Sequence, residues 1–244
     1  AELEVFVRSA SIDAMHIPIS LDDSDTFWLE DARYLIINGI YMGIVLLMIL
    51  VSLFLYWATK YRPCLLYAAY ISFIAVIFTV IRGLTFQYAW ASFPLWQIYC
   101  AWFSCAGLAV SGALFNLEFL EIKKSKKLLW GAHWLCAGTA LVGAVLLMVA
   151  PYIIAVRVIL ITAILMAVLT LVAGIYRWRE GYLPAMIFTL ASGVFLLGSI
   201  LLGVQVVVFI SDHWFVRHSM QMGSAIQIVL LALAVASRMR YLQE

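Results

Sequence analysis

The chain has 244 residues, of which 66% are hydrophobic and only 11% are charged. A soluble domain of this length has about half apolar and about a quarter charged residues, so the composition excludes a soluble fold and predicts a multi-span membrane protein. The formal net charge of +2 does not distinguish one class of function from another, but the positions of the charges along the chain do.

Residues 1–27 differ in composition from the rest of the chain. Apolar and polar side chains alternate over 2–8, and MHIPISL (15–21) follows; together they predict two short β-strands, with a solvated turn at 22–25. Two short strands cannot bury a core alone. We therefore expect a short β remnant, the C-terminal strands of an extracytoplasmic sensor domain that begins before residue 1. A lid on the helices is the alternative.

From residue 34 onward the chain carries apolar runs of about 20 residues, each long enough to cross a hydrocarbon layer of about 30 Å. Seven membrane helices are predicted, at 34–58, 64–84, 95–117, 128–150, 152–176, 183–209 and 216–237. Pro151 and Pro184 stand at predicted helix starts, where a missing N–H costs least. The predicted fold is an all-α bundle of seven transmembrane helices over 28–237.

Lysines and arginines are divided unevenly between the two ends of these helices. Most of the 15 fall at one end, namely Lys60, Arg62, Lys123, Lys124, Lys126, Lys127, Arg177, Arg179, Arg238 and Arg240. Because cytoplasmic loops are enriched in these residues, that end is predicted to be cytoplasmic. Seven crossings then place the N-terminus outside and the C-terminus inside.

The last predicted helix ends on Arg238 and Arg240, with no Gly or Pro to close it. A helix that keeps helix-forming residues beyond its arginines is expected to continue. We therefore interpret 238–244 as the start of a cytoplasmic linker to an output domain beyond Glu244.

Several polar side chains fall at membrane depth. Gln205, Gln221 and Gln227 predict either hydrogen bonds between helices or a switching network that relays a signal. Arg157 lies about 9 Å into the fifth predicted helix. The Arg157 side chain either pairs with an acid or extends to the membrane surface, or it binds an anion, together with Arg82, in a pocket that opens to the outside.

Two further groups of residues admit a functional and a packing interpretation. Gln87 and Trp90 lie in an aromatic segment at the outer ends of helices two and three, which is either an interfacial belt or a docking surface for the sensor domain. Small residues at Gly39 and Gly43, and at Gly223 and Ser224, permit close helix approach within the bundle or between two copies.

Other classes of protein are disfavoured. A retinal Schiff base needs a lysine deep in a helix, and every lysine here lies at the predicted cytoplasmic ends. His133 and Cys136 stand one turn apart without predictable further metal ligands. We predict no metal, no cofactor, no catalytic residue and no nucleic-acid partner. A small-molecule transporter or channel is the alternative function, and a vesicle flux assay separates it from a receptor.

Five segments together resemble a known family. They are GIYMG (39–43), SLFLYWATKYRPCLLYAAY (52–70), GLTFQYAW (83–90), LEFLEIKK (117–124) and MQMGSAIQIVLLALAVASR (220–238). In order, spacing and topology the chain resembles the membrane domain of bacterial seven-transmembrane receptors with diverse intracellular signalling modules. In that family an acidic residue often stands at the position of Gln227, so no mechanism that needs a charge there is expected.

The resemblance implies a partner on each side of the bilayer. An outer sensor domain, often a jelly roll similar to carbohydrate-binding modules, precedes the helices and implies a carbohydrate-like ligand. A histidine kinase, a diguanylate cyclase or another signalling enzyme follows them in the cytoplasm. Such outputs work as dimers, so a homodimer in the bacterial inner membrane is expected. The candidate relay residues are Arg82, Gln87, Trp90, Arg157, Gln205, Gln221 and Gln227.

Overall fold

The computed structural model describes residues 24–88, 93–122, 126–208 and 214–241. These residues form eight helices: α1 (Ser24–Thr59), α2 (Arg62–Ile81), α3 (Leu84–Tyr88), α4 (Pro94–Phe119), α5 (Lys127–Val149), α6 (Tyr152–Arg179), α7 (Leu183–Val208) and α8 (Trp214–Tyr241). The strands predicted before residue 22 lie outside the described residues, so the β remnant stays a prediction.

Seven of the helices in the described part of the chain are long and apolar enough to cross a membrane; α3 is a single short turn of helix. The predicted all-α seven-helix fold is therefore confirmed. The turn predicted at 22–25 is wrong in its second half, because Ser24 and Asp25 already belong to α1. Serine and aspartate favour helix N-termini as well as turns, and sequence alone did not separate the two.

Helix boundaries follow local chemistry. Pro63 and Pro94 lie in the first turns of α2 and α4, where their missing N–H groups are no loss. After α6, Gly181 adopts φ +87°, its N–H bonds to the carbonyl of Trp178, and the N–H of Tyr182 bonds to that of Arg177. This is a Schellman ending, and glycine makes its left-handed residue inexpensive.

The chain divides into two units, the first ending at Gly39 and the second spanning Ile40–Glu244. In the first unit, α1 begins, and the side chain of Asn38 donates to the carbonyl oxygen of Tyr34 at 2.8 Å. This bond runs back to the preceding turn of the same helix.

In the second unit the helices form a ring. Packing runs from α2 to α4, α5, α6, α7 and α8, and contacts between α8 and α2 close the ring, while α4 also packs against α6. The main core lies among α2, α4, α7 and α8, where the rings of Phe115, Phe119 and Phe188 stack on one another. One end of the ring, called here the basic end, carries Lys126, Arg177 and Arg238.

Candidate functional site

One face of α8 is buried along the length of the helix. Its buried residues recur at intervals of three and four, which places them on one side of an α-helix: Gln221, Ser224, Ile228, Leu231, Val235 and Arg238. Polar side chains occur at both ends of this series, Gln221 and Ser224 at one end and Arg238 at the other, and Gln227 is buried beside it. We call Gln221, Ser224, Gln227 and Arg238 the α8 polar face.

At the end opposite the basic end, α8 is bonded to the end of α2. Arg82 caps α2, and its Nη2 donates to Oε1 of the buried Gln221 at 2.9 Å. A guanidinium donor makes a stronger bond to an amide oxygen than a neutral donor does. Two of the candidate relay residues are therefore in direct contact.

In the middle of the bundle, three tyrosines bond to α8. The hydroxyl of Tyr41 in α1 lies 2.9 Å from Oγ of Ser224. From α2, Tyr67 donates to the carbonyl oxygen of Ile228, and Tyr70 accepts from Nε2 of Gln227 at 3.1 Å. Hydrogen bonds between membrane helices contribute about 0.6 kcal/mol each on average, so three of them hold α8 moderately firmly against its neighbours.

At the basic end, Arg238 is 5% exposed and joins α8 to the end of α4. Its Nη1 donates to the carbonyl oxygens of Glu118 (2.7 Å) and Phe119, and its Nη2 lies 2.9 Å from Oε1 of Glu121. The guanidinium also lies over the ring of Phe119, 5.5 Å from its centroid. A buried cation needs such partners, because desolvation alone would disfavour it strongly.

Glu121 also connects α8 to α6. Its Oε2 lies 3.7 Å from Nη2 of Arg177, whose Nε donates to the carbonyl oxygen of Leu120 at 2.6 Å. Glu121 itself has a left-handed backbone, with φ 51°, just beyond the end of α4. Both arginines thus converge on the α4 terminus, so that the ends of α4, α6 and α8 share one carboxylate.

A second carboxylate continues this network towards the surface. Glu180 pairs with Arg177 at 2.8 Å and with Lys126, which also contacts the hydroxyl of Tyr176. The hydrogen bonds from Lys126 and then from Arg177 lower the pKa of Glu180 to about 2. The same bond raises the pKa of Lys126. Both partners are about one-third exposed, so this pair contributes little to stability compared with the buried Arg238.

Close packing against α7 restricts α8 from its other side. A Cβ on Gly223 would lie 3.1 Å from the carbonyl oxygen of Val194, and one on Gly198 would lie 2.6 Å from that of Ser219. Ser219 also donates to the carbonyl oxygen of Gly198 at 3.1 Å. Small residues let the two backbones approach, as is common between membrane helices.

The remaining candidate residues lie apart from this face. Gln87 is exposed in α3, and Arg157 is exposed on α6, with no hydrogen bond or ion pair among the described residues. Arg82 bonds to Gln221, and the structure gives no contact between it and Arg157. Gln205 lies in α7, but its side chain, like the whole of Trp90, is outside the described residues.

The small residues of α1 lie in different units. Gly39 closes the first unit, and Gly43 lies in the second. No described atom outside its own helix comes within 4 Å of a Cβ placed on Gly43. Its role in close helix approach therefore stays a prediction.

Sequence analysis missed the three tyrosines, Glu121 and the burial of Arg238. Tyr67 and Tyr70 lie well inside α2, and a tyrosine hydroxyl away from the interface needs a bonding partner. The spacing of 221, 224, 228, 231, 235 and 238 was also readable as one helix face. Both signals were present in the sequence.

Comparison with known families gives a match over most of the chain. The model of the family described as "7TM diverse intracellular signalling" matches residues 34–238. No curated protein gives a match to the chain. No solved structure gives one either. The matched segment contains all of α2 to α7 and every member of the α8 polar face.

Proposed function

We propose that the chain relays a signal from outside the cell to a cytoplasmic enzyme through α8, since it belongs to the family of seven-transmembrane domains with diverse intracellular signalling roles. The family makes the chain a multi-pass membrane domain of a signalling receptor. We also propose the direction of the relay, its partners and the residues that carry it.

The observation that carries this proposal is the run of contacts along α8. The helix is bonded to α2 through Arg82 and Gln221 at one end, and to α4 and α6 through Arg238 and Glu121 at the other. A shift of α8 along or about its axis must change both sets of bonds, because both lie on one rigid helix. A ligand or sensor domain that favours one arrangement over the other would thereby bias the opposite end.

The proposed orientation follows the positive charges. Lysines and arginines concentrate at the basic end, so that end is assigned to the cytoplasm of a bacterium and the N-terminal side to the outside of its inner membrane. An extracytoplasmic sensor domain, for a carbohydrate-like ligand, would connect to α1. A histidine kinase or diguanylate cyclase would follow α8.

A homodimer is part of the proposal, because such outputs act in pairs. Exposed apolar residues of α8 also recur at intervals of three and four, at Met222, Ile226, Val229 and Leu233. Single cysteines placed along α8 in membranes should therefore crosslink best on this stripe and worst at buried Ile228. A crosslinking profile without helical periodicity would contradict contact along α8.

The test of function compares two arginines. In the full-length protein expressed in bacterial membranes, Arg82→Gln should shift the basal or ligand-dependent activity of the output enzyme, because it removes the bond to Gln221. Arg157→Gln is the matched control, since Arg157 is exposed on α6. Equal effects of the two substitutions would contradict the proposed relay. Solute flux through vesicles containing the protein would instead support a transporter.

A further inference from the structure

A cavity of about 120 Å³ lies inside the bundle, between α2, α4, α6, α7 and α8. Small residues on α4 and α6 make the space, namely Ala109, Gly112, Ala163 and Ala167. Large side chains such as Phe115, Phe188 and Phe195 form the opposing walls. A cavity of about 150 Å³ in another protein admits benzene, so the volume here corresponds to a molecule of about one ring.

The cavity contains buried polar atoms without partners. Oε1 of Gln227 and Oγ of Ser192 have no hydrogen bond to any described residue, although both residues line the cavity. Gln227 is 3% exposed and Ser192 is 6% exposed, so neither is hydrated at an open surface. Buried polar groups in native proteins are normally paired, and an exception needs an explanation.

The polar side chains that α4 and α6 contribute to the cavity, in contrast, have hydrogen-bond partners. Asn116 donates to Oγ1 of Thr170 at 2.8 Å, and Thr170 donates to the carbonyl oxygen of Met166 at 2.7 Å. The hydroxyl of Tyr70 accepts from Gln227 and has no acceptor for its own hydrogen among the described residues. The wall formed by α2, α7 and α8 thus offers an acceptor on Gln227, a donor on Tyr70, and the hydroxyl of Ser192.

We infer that this cavity binds a small, largely apolar molecule that carries one hydroxyl group, such as a phenol or a short alcohol. The apolar walls accept the hydrocarbon part. The hydroxyl donates to Oε1 of Gln227 and accepts from Tyr70 or Ser192, which satisfies groups that the protein itself leaves unpaired. A charged ligand is disfavoured, because no carboxylate, lysine or arginine lines the cavity among the residues that the structure describes.

The inference concerns binding alone and does not depend on the receptor proposal. The cavity and the α8 polar face nevertheless share Gln227, so an occupant would contact α8 directly. Failure of the relay would leave the binding site intact, and failure of binding would leave the relay intact.

The probe is 4-fluorophenol, followed by fluorine NMR on the detergent-solubilised protein, with fluorobenzene as the analogue that lacks the hydroxyl. Wild type should give a saturable signal from bound 4-fluorophenol and bind fluorobenzene about tenfold more weakly. Gln227→Leu should weaken 4-fluorophenol binding by a similar factor, and Ala109→Leu, which fills the cavity, should abolish it. Ser199→Ala is the control and should bind as wild type does, because Ser199 donates to the carbonyl oxygen of Phe195 within α7 and does not line the cavity.

Three results would overturn the inference. Wild type could give no saturable signal, which would mean that the cavity holds water only. Ala109→Leu could bind as wild type does, which would place the probe elsewhere or in detergent. Wild type could bind fluorobenzene as tightly as 4-fluorophenol. If thermal unfolding shows that Gln227→Leu does not fold, Ser192→Ala and the fluorobenzene comparison test the same polar contacts.

Discussion

Helices α6 and α8 each have 28 residues, but α8 is the more buried of the two. Half of the most apolar stretch of α8 is buried, against 28% of the corresponding stretch of α6. Thr162 and Thr170 in α6 donate to carbonyl oxygens one turn back in their own helix, and they also bond to Thr139 and Asn116 of neighbouring helices. The donor bonds of Gln227 and Arg238 in α8 go to other helices. Length and apolarity place a helix in the membrane, and burial with polar contacts along the whole helix is what the proposed relay through α8 requires.

The largest effect is expected when the two helices lose comparable arginines. Arg238→Gln should lower the free energy of unfolding by about 3 kcal/mol, because it removes a buried charge from Glu121 and two carbonyl oxygens. Arg157→Gln, on exposed α6 surface, should change it by less than about 0.5 kcal/mol. Denaturant unfolding in detergent micelles measures both. Similar losses for both variants would contradict the distinction between the helices.

The second-largest loss of stability is expected where α8 packs closely against α7. Gly198→Ala should cost about 1–3 kcal/mol, because its Cβ would lie 2.6 Å from the carbonyl oxygen of Ser219 and force the two backbones apart. Gly193→Ala is the control on the same helix, since no described atom outside its own helix lies within 4 Å of a Cβ placed there. It should be neutral or slightly stabilising, because alanine has the higher helix propensity. Melting temperatures of the two variants, measured side by side, decide the point.

A smaller loss of stability is expected when one hydrogen bond is removed, and a bond between two helices should cost more than a bond within one helix. Tyr67→Phe should cost about 1 kcal/mol, because it removes the buried donor to the carbonyl oxygen of Ile228. Thr162→Val should cost less than half as much, since its hydroxyl bonds to the carbonyl oxygen of Val158 within α6 at 2.8 Å and lies farther, at 3.2 Å, from Thr139 of α5. The free energies of unfolding are compared in one detergent. A greater cost for Thr162→Val would show that α6 is as strongly cross-linked as α8.

The smallest effect lies at the exposed end of α6. Folding lowers the pKa of Glu180 from 4.5 to about 2, so its ion pairs stabilise the fold fully above about pH 4.5 and are lost as the pH falls towards 2. Melting temperatures of wild type and Glu180→Gln should therefore differ most near neutral pH and converge in acid. Glu118→Gln is the control, because the exposed Glu118 side chain has no ion pair among the described residues. A difference that grows in acid would be contrary to expectation.

Much of the fold was predictable from the sequence, because the cost of burying peptide groups in lipid forces each apolar run into a helix. Six of the seven predicted spans lie within four residues of the observed helices at both ends, whereas α1 begins at Ser24 and not at 34. The start of α1 at Ser24 was not predictable, since Asp and Ser favour turns and helix N-termini alike.

The site was predictable in part. Gln221 and Gln227 were identified because amides at membrane depth require partners, but the partners themselves depend on which helices are neighbours. Arg238 was interpreted only as a topology signal, because the sequence does not tell a buried arginine from a snorkelling one. Its partner Glu121 lies in a loop, and only the closing of the ring brings the two together.

In the proposed relay, α8 carries a change from one end of the bundle to the other. The most direct test of this relay is the rate of maleimide labelling of Met239→Cys in membranes, read by mass spectrometry at that position separately from Cys64, Cys100, Cys105 and Cys136. Gln221→Leu should change this rate by about fivefold, the lower range of coupling between distant sites, whereas Arg157→Gln should leave it unchanged. An unchanged rate in Gln221→Leu would contradict the relay.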